Sequence, residues 1–209
     1  MKISTRTLAR CAAGLGLSLG LSAAGAGALP KVDLARAAEI SGGRCALCHG
    51  AEGDSSSPLY PRLAGQHHQY IAKQLGDFKS GRRKSDTMNG MAQDLTPEEM
   101  LALGVYFEQK PTKPREARDA DLAAVGRYIF QRGNDFSGVA ACAGCHGDKG
   151  HGTEQLPRLA GQVPRYTESQ LKSFNTRERT NDNEVMHSVA SKLTELEVKA
   201  VALYISTLD

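Results

Sequence analysis

Apolar residues recur at helical spacing in three stretches of the first half of the chain, and a similar pattern returns in the second half. In the first half we predict helices over residues 32–41, over 66–79 and from Thr96 onward. In the second half, a helix predicted over 122–132 is followed by a turn rich in Gly, Asn and Ser. The pattern therefore predicts an all-α fold built from short helices.

The second half of the chain repeats the first. The segment Pro-Arg-Leu-Ala-Gly-Gln occurs at 61–66 and again at 157–162. Four further residues match downstream of each copy: Tyr70, Gln74, Leu75 and Phe78 with Tyr166, Gln170, Leu171 and Phe174. Such self-similarity indicates two copies of one structural unit.

A short connector separates the two copies. Residues 110–115 include two prolines and three basic residues, a composition that favours an extended and fairly stiff chain. We assign domain 1 to residues 29–110, the linker to 111–118 and domain 2 to 119–209. Because the linker is short, we expect the two domains to lie against each other.

The final helix of each domain has a strong start signal. In domain 1, Thr96 is placed as N-cap, Pro97 at the first helical position and Glu99 for a capping box. Thr194 and Glu197 repeat the capping box in domain 2.

Each domain contains one Cys-x-x-Cys-His motif: Cys45, Cys48 and His49 in domain 1, and Cys142, Cys145 and His146 in domain 2. Two cysteines at this spacing bond the two vinyl groups of one haem, and the histidine that follows ligates the iron. The pattern predicts two covalently bound haem c groups, one per domain. Trp is absent and the chain has only five Phe and six Tyr, so the haems would also supply apolar volume to two small cores.

Other uses of a Cys-x-x-Cys pair fit this chain less well. A structural zinc site needs four Cys or His ligands, and neither domain offers a second pair at finger spacing. A redox dithiol would not require a histidine as the next residue in both copies. Two structural disulfides are the remaining alternative, although a bridge across two residues closes a small loop and adds little constraint.

Methionine is a common second axial ligand of the iron in cytochromes c, where it raises the reduction potential. Met88 lies eight residues before Thr96, and Met186 lies eight residues before Thr194. Both methionines therefore fall at the same position of the repeat. We predict that they are the second axial ligands and that both lie in polar loops.

Met91 and His187 are the competing ligands, but the matching positions in the other domain hold Val189 and Asn89. Met100 falls inside the final helix of domain 1, where packing in the core is its expected role. Three unmatched histidines are expected on the surface or in local hydrogen bonds: His67, His68 and His151.

The axial histidine ordinarily donates its other N–H to a carbonyl group, which fixes the ring. Pro61 and Pro157 are expected to present that carbonyl, because proline has no N–H of its own to compete. Apolar stripes on the two final helices are expected to face the haem and the first helix of each domain: Leu101, Val105 and Tyr106 in domain 1, and Val198, Val201, Ala202 and Ile205 in domain 2.

Residues 1–28 have the layout of a secretory signal peptide, with three basic residues ahead of an apolar run that ends in small residues. We expect cleavage after Ala28 or Ala26 and export to the periplasm; an uncleaved membrane anchor is the alternative. Cys11 would be removed with this segment, which leaves four cysteines, all in the two motifs.

The whole chain carries 26 Lys and Arg against 23 Asp and Glu. Three of the basic residues and none of the acidic ones fall within residues 1–28, so the remainder is balanced at 23 of each sign. This balance does not suit a nucleic-acid-binding protein.

The chain resembles the cytochrome c4 family, which are periplasmic dihaem carriers made of two class I cytochrome c domains. The resemblance covers essentially all of the chain after the signal segment. It rests on the two Cys-x-x-Cys-His-Gly motifs, the two Pro-Arg-Leu-Ala-Gly-Gln segments, residues 73–75, 88–91 and 179–182, and Met186. It implies His/Met ligation of both haems, a pseudo-twofold axis between the domains, and haem propionate edges that meet at the domain interface. Segment 80–87 departs from the family because it is shorter.

The expected function is electron transfer without substrate chemistry. The resemblance implies a membrane quinol-oxidising complex or a dehydrogenase as donor and a terminal oxidase as acceptor, and it leaves a transient association with the membrane open. The alternatives are a cytochrome subunit of a larger dehydrogenase or oxidase complex and, less favoured, a dihaem peroxidase-type enzyme. Such an enzyme needs an open or unusually ligated iron, whereas this chain offers a matched methionine for each haem.

Overall fold

The structure is a computed structural model that describes residues 29–55 and 57–209. Within these ranges the chain forms helices and no strand, which confirms the predicted all-α fold. The signal peptide predicted over residues 1–28 lies outside the described residues. The α-helices are α1 (Leu34–Ile40), α2 (Ala46–His49), α3 (His68–Lys79), α4 (Met88–Ala92), α5 (Pro97–Glu108), α6 (Ala120–Arg132), α7 (Ala143–His146), α8 (Pro164–Asn175), α9 (Val185–Ala190) and α10 (Glu195–Thr207).

The first helix of domain 1 runs directly into the haem motif, as predicted. α1 begins where the Asp33 side chain accepts a hydrogen bond from the Arg36 N–H at 2.9 Å. A π-helical turn, Ser41–Cys45, then joins α1 to α2 without a break. Both α1 and α3 pack against α5, so the motif is held by a three-helix core.

Domain 2 reaches its motif differently. α6 packs so closely on α10 that a Cβ atom at Gly126 would lie 1.9 Å from the carbonyl oxygen of Ala200. α6 ends before Gly133, and two hydrogen bonds of 2.9 and 3.0 Å between Asn134 and Val139 close the following turn. The predicted Gly/Asn/Ser turn is therefore confirmed.

The capping boxes predicted for the final helices are confirmed in both domains. Thr96 accepts from the Glu99 N–H at 3.2 Å, and the Glu99 carboxylate accepts from the Thr96 N–H at 3.0 Å. Thr194 and Glu197 make the same pair of bonds at 3.3 and 2.8 Å. Both helices are thus aligned by the same local signal.

The domains lie against each other through their two Pro-Arg-Leu-Ala-Gly-Gln segments. The Gln66 side chain accepts from the Arg158 N–H at 2.8 Å and donates to the Arg158 carbonyl at 2.9 Å. Gln162 makes the reciprocal pair with the backbone of Arg62, at 2.7 and 3.0 Å. This exchange is the geometry of a pseudo-twofold axis between the domains.

Glycine is required where these segments approach each other. Gly161 has φ of +70°, and a Cβ atom there would lie 2.6 Å from Nη1 of Arg62. Gly65 has φ of +69°, and its Cβ atom would lie 2.4 Å from the Thr112 methyl group. The linker residues around Thr112 form neither helix nor strand and pass beside this interface.

Among the described helices, none has both the length and the apolar composition needed to cross a lipid bilayer.

Candidate haem sites

One continuous cavity of about 1480 Å³ crosses the boundary between the domains. Sites for a single small molecule typically measure about 300–1,000 Å³, so this cavity has room for two groups. All eight predicted haem residues line it: Cys45, Cys48, His49 and Met88 from domain 1, and Cys142, Cys145, His146 and Met186 from domain 2. The structure thus brings together residues that are far apart in the sequence.

The walls of the cavity are largely apolar and match between the domains. The apolar side chains from domain 1 are Ile71, Leu75, Phe78, Leu95, Leu103 and Phe107, and those from domain 2 are Leu159, Leu171, Phe174, Leu193, Val201 and Ile205. Such walls exclude water from a flat aromatic group and hold it by dispersion contacts.

The two motif histidines are buried and held by proline carbonyls, as predicted. The distance from Nδ1 of His49 to the Pro61 oxygen is 2.9 Å, and that from Nδ1 of His146 to the Pro157 oxygen is 3.2 Å. Because a carbonyl oxygen only accepts, Nδ1 carries the proton in both rings and Nε2 keeps its lone pair. Burial lowers the pKa of both imidazoles, more than the carbonyl bonds raise it, so both rings are neutral at pH 7.

The motif cysteines carry free thiols rather than disulfides in the described chain. Burial raises the pKa of the Cys142 thiol to about 11 and also raises the pKa of Cys45. Thiol–disulfide exchange begins with attack by a thiolate. Because these two thiols are protonated at neutral pH, they are poor candidates for that reaction.

Met88 and Met186 lie in two short helices, so the prediction that they lie in polar loops was wrong. Met88 is the first residue of α4, and its N–H donates to Oγ of Ser85 at 3.2 Å. Met186 is the second residue of α9, and its N–H donates to the Asp182 carboxylate at 2.7 Å. The polar residues that suggested loops instead accept backbone N–H groups where these helices begin.

The competing ligands differ in position. Nδ1 of His187 lies 3.0 Å from the carbonyl oxygen of Phe174, and His187 does not line the cavity. Met100 is 5% exposed and packs in the core of domain 1, as predicted. Met91 lines the cavity and is exposed at its mouth.

The unmatched histidines make the hydrogen bonds expected of them, and one of these bonds crosses between the domains. Nδ1 of His68 lies 2.5 Å from the Glu108 carboxylate within domain 1. Nε2 of His67 lies 2.8 Å from the carbonyl oxygen of His151 in domain 2. None of the three histidines lines the cavity.

The prediction that the apolar stripe of α5 faces the haem was wrong, although Tyr106 of that stripe does pack against the cluster that contains Ala37 and Ile40 of α1. Leu101, Val105 and Tyr106 do not line the cavity, whereas Leu103 and Phe107 do. α5 is buried on most of its circumference, so apolar spacing alone could not identify the side that faces the cavity. In α10 the stripe was partly right, because Val201 and Ile205 line the cavity and Val198 and Ala202 do not.

Two buried arginines meet across the domain interface on the wall of the cavity. Arg83 donates to the Tyr166 hydroxyl at 2.9 Å and to Oε1 of Gln170 at 2.8 Å, both in domain 2. Arg179 makes the reciprocal bonds to domain 1, to the Tyr70 hydroxyl at 2.9 Å and to Gln74 at 3.2 Å.

Each of these guanidinium groups also stacks on a phenylalanine of its own domain, 4.6 Å from the Phe78 centroid for Arg83 and 4.5 Å from the Phe174 centroid for Arg179. No carboxylate is among their hydrogen-bond partners in the described chain. Although burial raises the pKa of the Tyr166 hydroxyl, the two positive charges outweigh it and hold that pKa below its usual value.

The residues of the cavity fit a haem in each domain. Each half provides two thiols, a neutral imidazole with a free Nε2, a thioether and apolar walls. The unneutralised charges of Arg83 and Arg179 suit the two carboxylate groups that each haem carries, because a buried charge is normally paired.

Sequence analysis missed the interface role of these polar residues. The signal was available in part, because Gln66, Tyr70 and Gln74 recur as Gln162, Tyr166 and Gln170. Polar residues that recur in both copies outside the haem motif indicate a second role common to the two domains. Here that role is the contact between the domains.

Comparison with known proteins agrees with this geometry. The cytochrome c family model matches the chain twice, over residues 34–132 and 130–209. A cytochrome c4 from Thiocapsa roseopersicina is 41% identical over 187 residues, which is 87% of this chain and 96% of that protein. A thiosulfate dehydrogenase electron acceptor from Thiomonas intermedia is 38% identical over 167 residues, 78% of this chain and 77% of that protein.

Among solved structures, the crystal structure of reduced recombinant cytochrome c4 from Pseudomonas stutzeri superposes with a TM-score of 0.80 at 34% identity. The match covers 86% of this chain and 100% of that one, so it includes both domains. The chain therefore belongs to the cytochrome c family, as a dihaem electron carrier of the cytochrome c4 type that binds two haem c groups.

Proposed function

We propose that each haem is attached through both cysteines of its motif and ligated by the motif histidine and the matched methionine. The residues are Cys45, Cys48, His49 and Met88 in domain 1, and Cys142, Cys145, His146 and Met186 in domain 2. The observation that carries the proposal is the single cavity in which all eight side chains meet. We also take residues 29–110 and 119–209 as the two domains and 111–118 as their linker.

Haem supplies a one-electron change between ferrous and ferric iron. The protein limits the structural change that accompanies this change of oxidation state. The carbonyls of Pro61 and Pro157 fix the two imidazole rings, and the apolar walls keep water away. The pseudo-twofold interface holds both sites in one cavity, which favours exchange of electrons between them.

In the proposed role, the protein carries electrons in the periplasm after removal of residues 1–28. A membrane quinol-oxidising complex or a dehydrogenase would act as donor, and a terminal oxidase as acceptor. Contacts of this kind are small and transient, with less than about 1,200 Å² buried.

Haem counting and optical spectroscopy test the ligands directly. The intact protein should give two covalently bound haems by pyridine haemochrome assay and mass spectrometry. Its ferric spectrum should show the weak long-wavelength band typical of methionine bound to ferric iron. Met88→Ala and Met186→Ala should each remove about half of that band, whereas Met91→Ala should leave it unchanged. Loss of the band in Met91→Ala, or fewer than two haems in the intact protein, would contradict the proposal.

A second candidate role is the electron-accepting partner of a dehydrogenase, to which it would bind as a lasting subunit. It is supported by the similarity to a protein named as a thiosulfate dehydrogenase electron acceptor. Mixing the ferric protein with a purified thiosulfate dehydrogenase and thiosulfate separates the two roles. A lasting subunit should co-elute with the enzyme on gel filtration, whereas a free carrier should be reduced at a rate proportional to its concentration and elute alone.

A further inference from the structure

The two mouths of the haem cavity differ at positions that match in the repeat. Leu47 lies between the cysteines of motif 1 and is 96% exposed, whereas its counterpart is Gly144. Leu59 lines the cavity and is 64% exposed, whereas its counterpart is Gln155. Water-exposed leucines at two matched sites make the mouth of domain 1 the more apolar of the two.

A third apolar residue joins this surface. Met91 lines the cavity and is 42% exposed. Nη1 of Arg44 donates to the Met91 carbonyl at 3.2 Å, and Leu47 follows Arg44 by one helical turn. Since Leu47 does not line the cavity, a bound haem would leave it uncovered.

The charges at the two mouths differ as well. Arg44, Lys84 and the acidic Asp86 are exposed and line the cavity of domain 1. The position of Arg44 is held by Ala141 in domain 2, and Lys84 follows Arg83 as Thr180 follows Arg179. Within the described chain Arg44 makes one ion pair, at 4.0 Å with the exposed Asp94, so its charge is only weakly offset. The mouth of domain 1 therefore combines exposed apolar side chains with basic residues.

The mouth of domain 2 is different in composition. It carries exposed Glu154, Gln155, Arg177 and Glu178. Among the described residues that line the cavity from domain 2, Val185 (58% exposed) is the one large apolar side chain above 40% exposure. The position that matches Val185 in domain 1 is Thr87.

We propose that the mouth of domain 1, here called rim 1 (Arg44, Leu47, Leu59, Lys84 and Met91), docks a redox partner protein with an apolar centre and acidic surroundings. The proposal rests on the proposed function, because docking at rim 1 serves electron transfer only if domain 1 holds a haem. It adds to that function the domain at which the partner binds and the chemistry of the partner's face.

Binding at rim 1 would use a short-range apolar contact and a long-range electrostatic attraction. Exposed leucines gain free energy in proportion to the apolar surface that binding removes from water, which stabilises a small contact. Basic side chains around an apolar centre attract an acidic face and raise its association rate, an effect that salt screens. Small apolar contacts with charged margins suit a complex that must form and separate quickly.

Stopped-flow spectroscopy of the ferrous two-haem protein tests the proposal, with an oxidised acidic blue-copper protein as probe. The double variant Leu59→Gln/Lys84→Thr gives rim 1 the residues of domain 2. We expect its second-order rate constant to fall about tenfold at low ionic strength. The loss should shrink in 1 M salt, where charges are screened within about 3 Å. Gln155→Ala at the mouth of domain 2 is the matched control and should react at the rate of the unchanged protein.

Haem content and both reduction potentials are measured on each protein first, so that two kinds of failure can be told apart. Fewer than two haems in the unchanged protein would overturn the proposed function itself. With two haems and unchanged potentials, an undiminished rate in the double variant would overturn docking at rim 1 alone, as would an equal loss in Gln155→Ala. Binding to vesicles of anionic lipid that the double variant abolishes, with no change in rate, would assign rim 1 to a membrane surface and overturn the partner-protein proposal.

Discussion

The two domains agree closely where they face the cavity and each other, and they differ where they face solvent. In both, a proline carbonyl holds the motif histidine, at 2.9 Å in domain 1 and 3.2 Å in domain 2. In both, a glutamine side chain bonds the backbone of the other domain. Yet domain 1 reaches its motif through a continuous helix, and domain 2 through a turn closed by Asn134 and Val139.

This division shows which parts of a duplicated unit are constrained. The motif cysteines and histidines, the prolines that bond those histidines and the glutamines that bridge the pseudo-twofold axis recur unchanged in both copies. A residue that faces solvent has no such matching role, so Leu47 and Gly144 could diverge without disturbing either site. Differences between the two haems should therefore come from surrounding residues rather than from the ligands.

The largest expected effect concerns the glutamine pair at the interface. Gln162→Ala would leave the N–H and carbonyl groups of the buried Arg62 without partners, and each such group costs about 1–3 kcal/mol. We expect the free energy of unfolding to fall by about 2–4 kcal/mol. Gln66→Ala should cost less, because its bonds to Arg158 are only partly buried.

Chemical denaturation of the two-haem protein, followed by circular dichroism, measures both variants. Exposed Gln155 provides a matched control, since Gln155→Ala removes an amide side chain outside the interface. Equal losses for Gln66→Ala and Gln162→Ala would show that the pseudo-twofold axis is symmetric in energy as well as in geometry.

A smaller loss of stability is expected when Asp77 of domain 1 is substituted. Its counterpart in domain 2 is Ser173, which carries no charge. The Asp77 side chain is 1% exposed and its carboxylate accepts from Lys73, Arg82 and Asn181. Burial raises the pKa of this carboxyl, but the hydrogen bonds from Lys73 and Asn181 outweigh it and hold the pKa below its usual value. Asp77→Asn should lower the free energy of unfolding at pH 7 by about 1–2 kcal/mol, because both cations are exposed and return to water.

The pH dependence of this effect follows from the direction of the shift. A carboxyl with a lowered pKa in the folded protein stabilises it above the ordinary aspartate value of about 3.9. That contribution is lost as the pH falls through the lower pKa of the folded state. The difference between Asp77→Asn and the unchanged protein should therefore disappear in unfolding measurements near pH 2. Ser173→Ala should show no such dependence, and a difference that persists in acid would contradict an ionic origin.

The sequence was most informative where a local signal determines the structure. The Thr96 and Thr194 capping boxes depend on residues three positions apart, so the sequence alone predicted both. The proline carbonyls were predictable as well, because an axial histidine needs one acceptor and the repeat places a proline twelve residues after His49 and eleven after His146.

Sequence reasoning failed where the answer depends on packing between distant segments. α5 is apolar on most of its surface, so only the folded domain shows that Leu103 and Phe107 face the cavity. The short helix that begins at Met88 has no capping side chain at its N-cap residue, Thr87, and the polar residues before it resemble a loop. The bonds of Arg83 to domain 2 follow from the docking of the domains, which no local pattern encodes.

The smallest expected effect tests whether the arginine pair belongs to both haem sites. Positive charge in the cavity disfavours ferric iron, so removing Arg83 or Arg179 should lower the reduction potentials. At an effective dielectric constant of about 20 the change is on the order of 1 kcal/mol, or roughly 40 mV for one electron. Because each arginine bonds the other domain, we expect Arg83→Gln to lower both potentials in a spectroscopic redox titration, and Arg179→Gln to do the same. Arg177→Gln is the control, because that side chain is exposed and paired with Glu184, and its charge is screened by solvent. If each variant shifted the potential of one haem alone, each arginine would serve a single domain, and the shared interface would be structural rather than electronic.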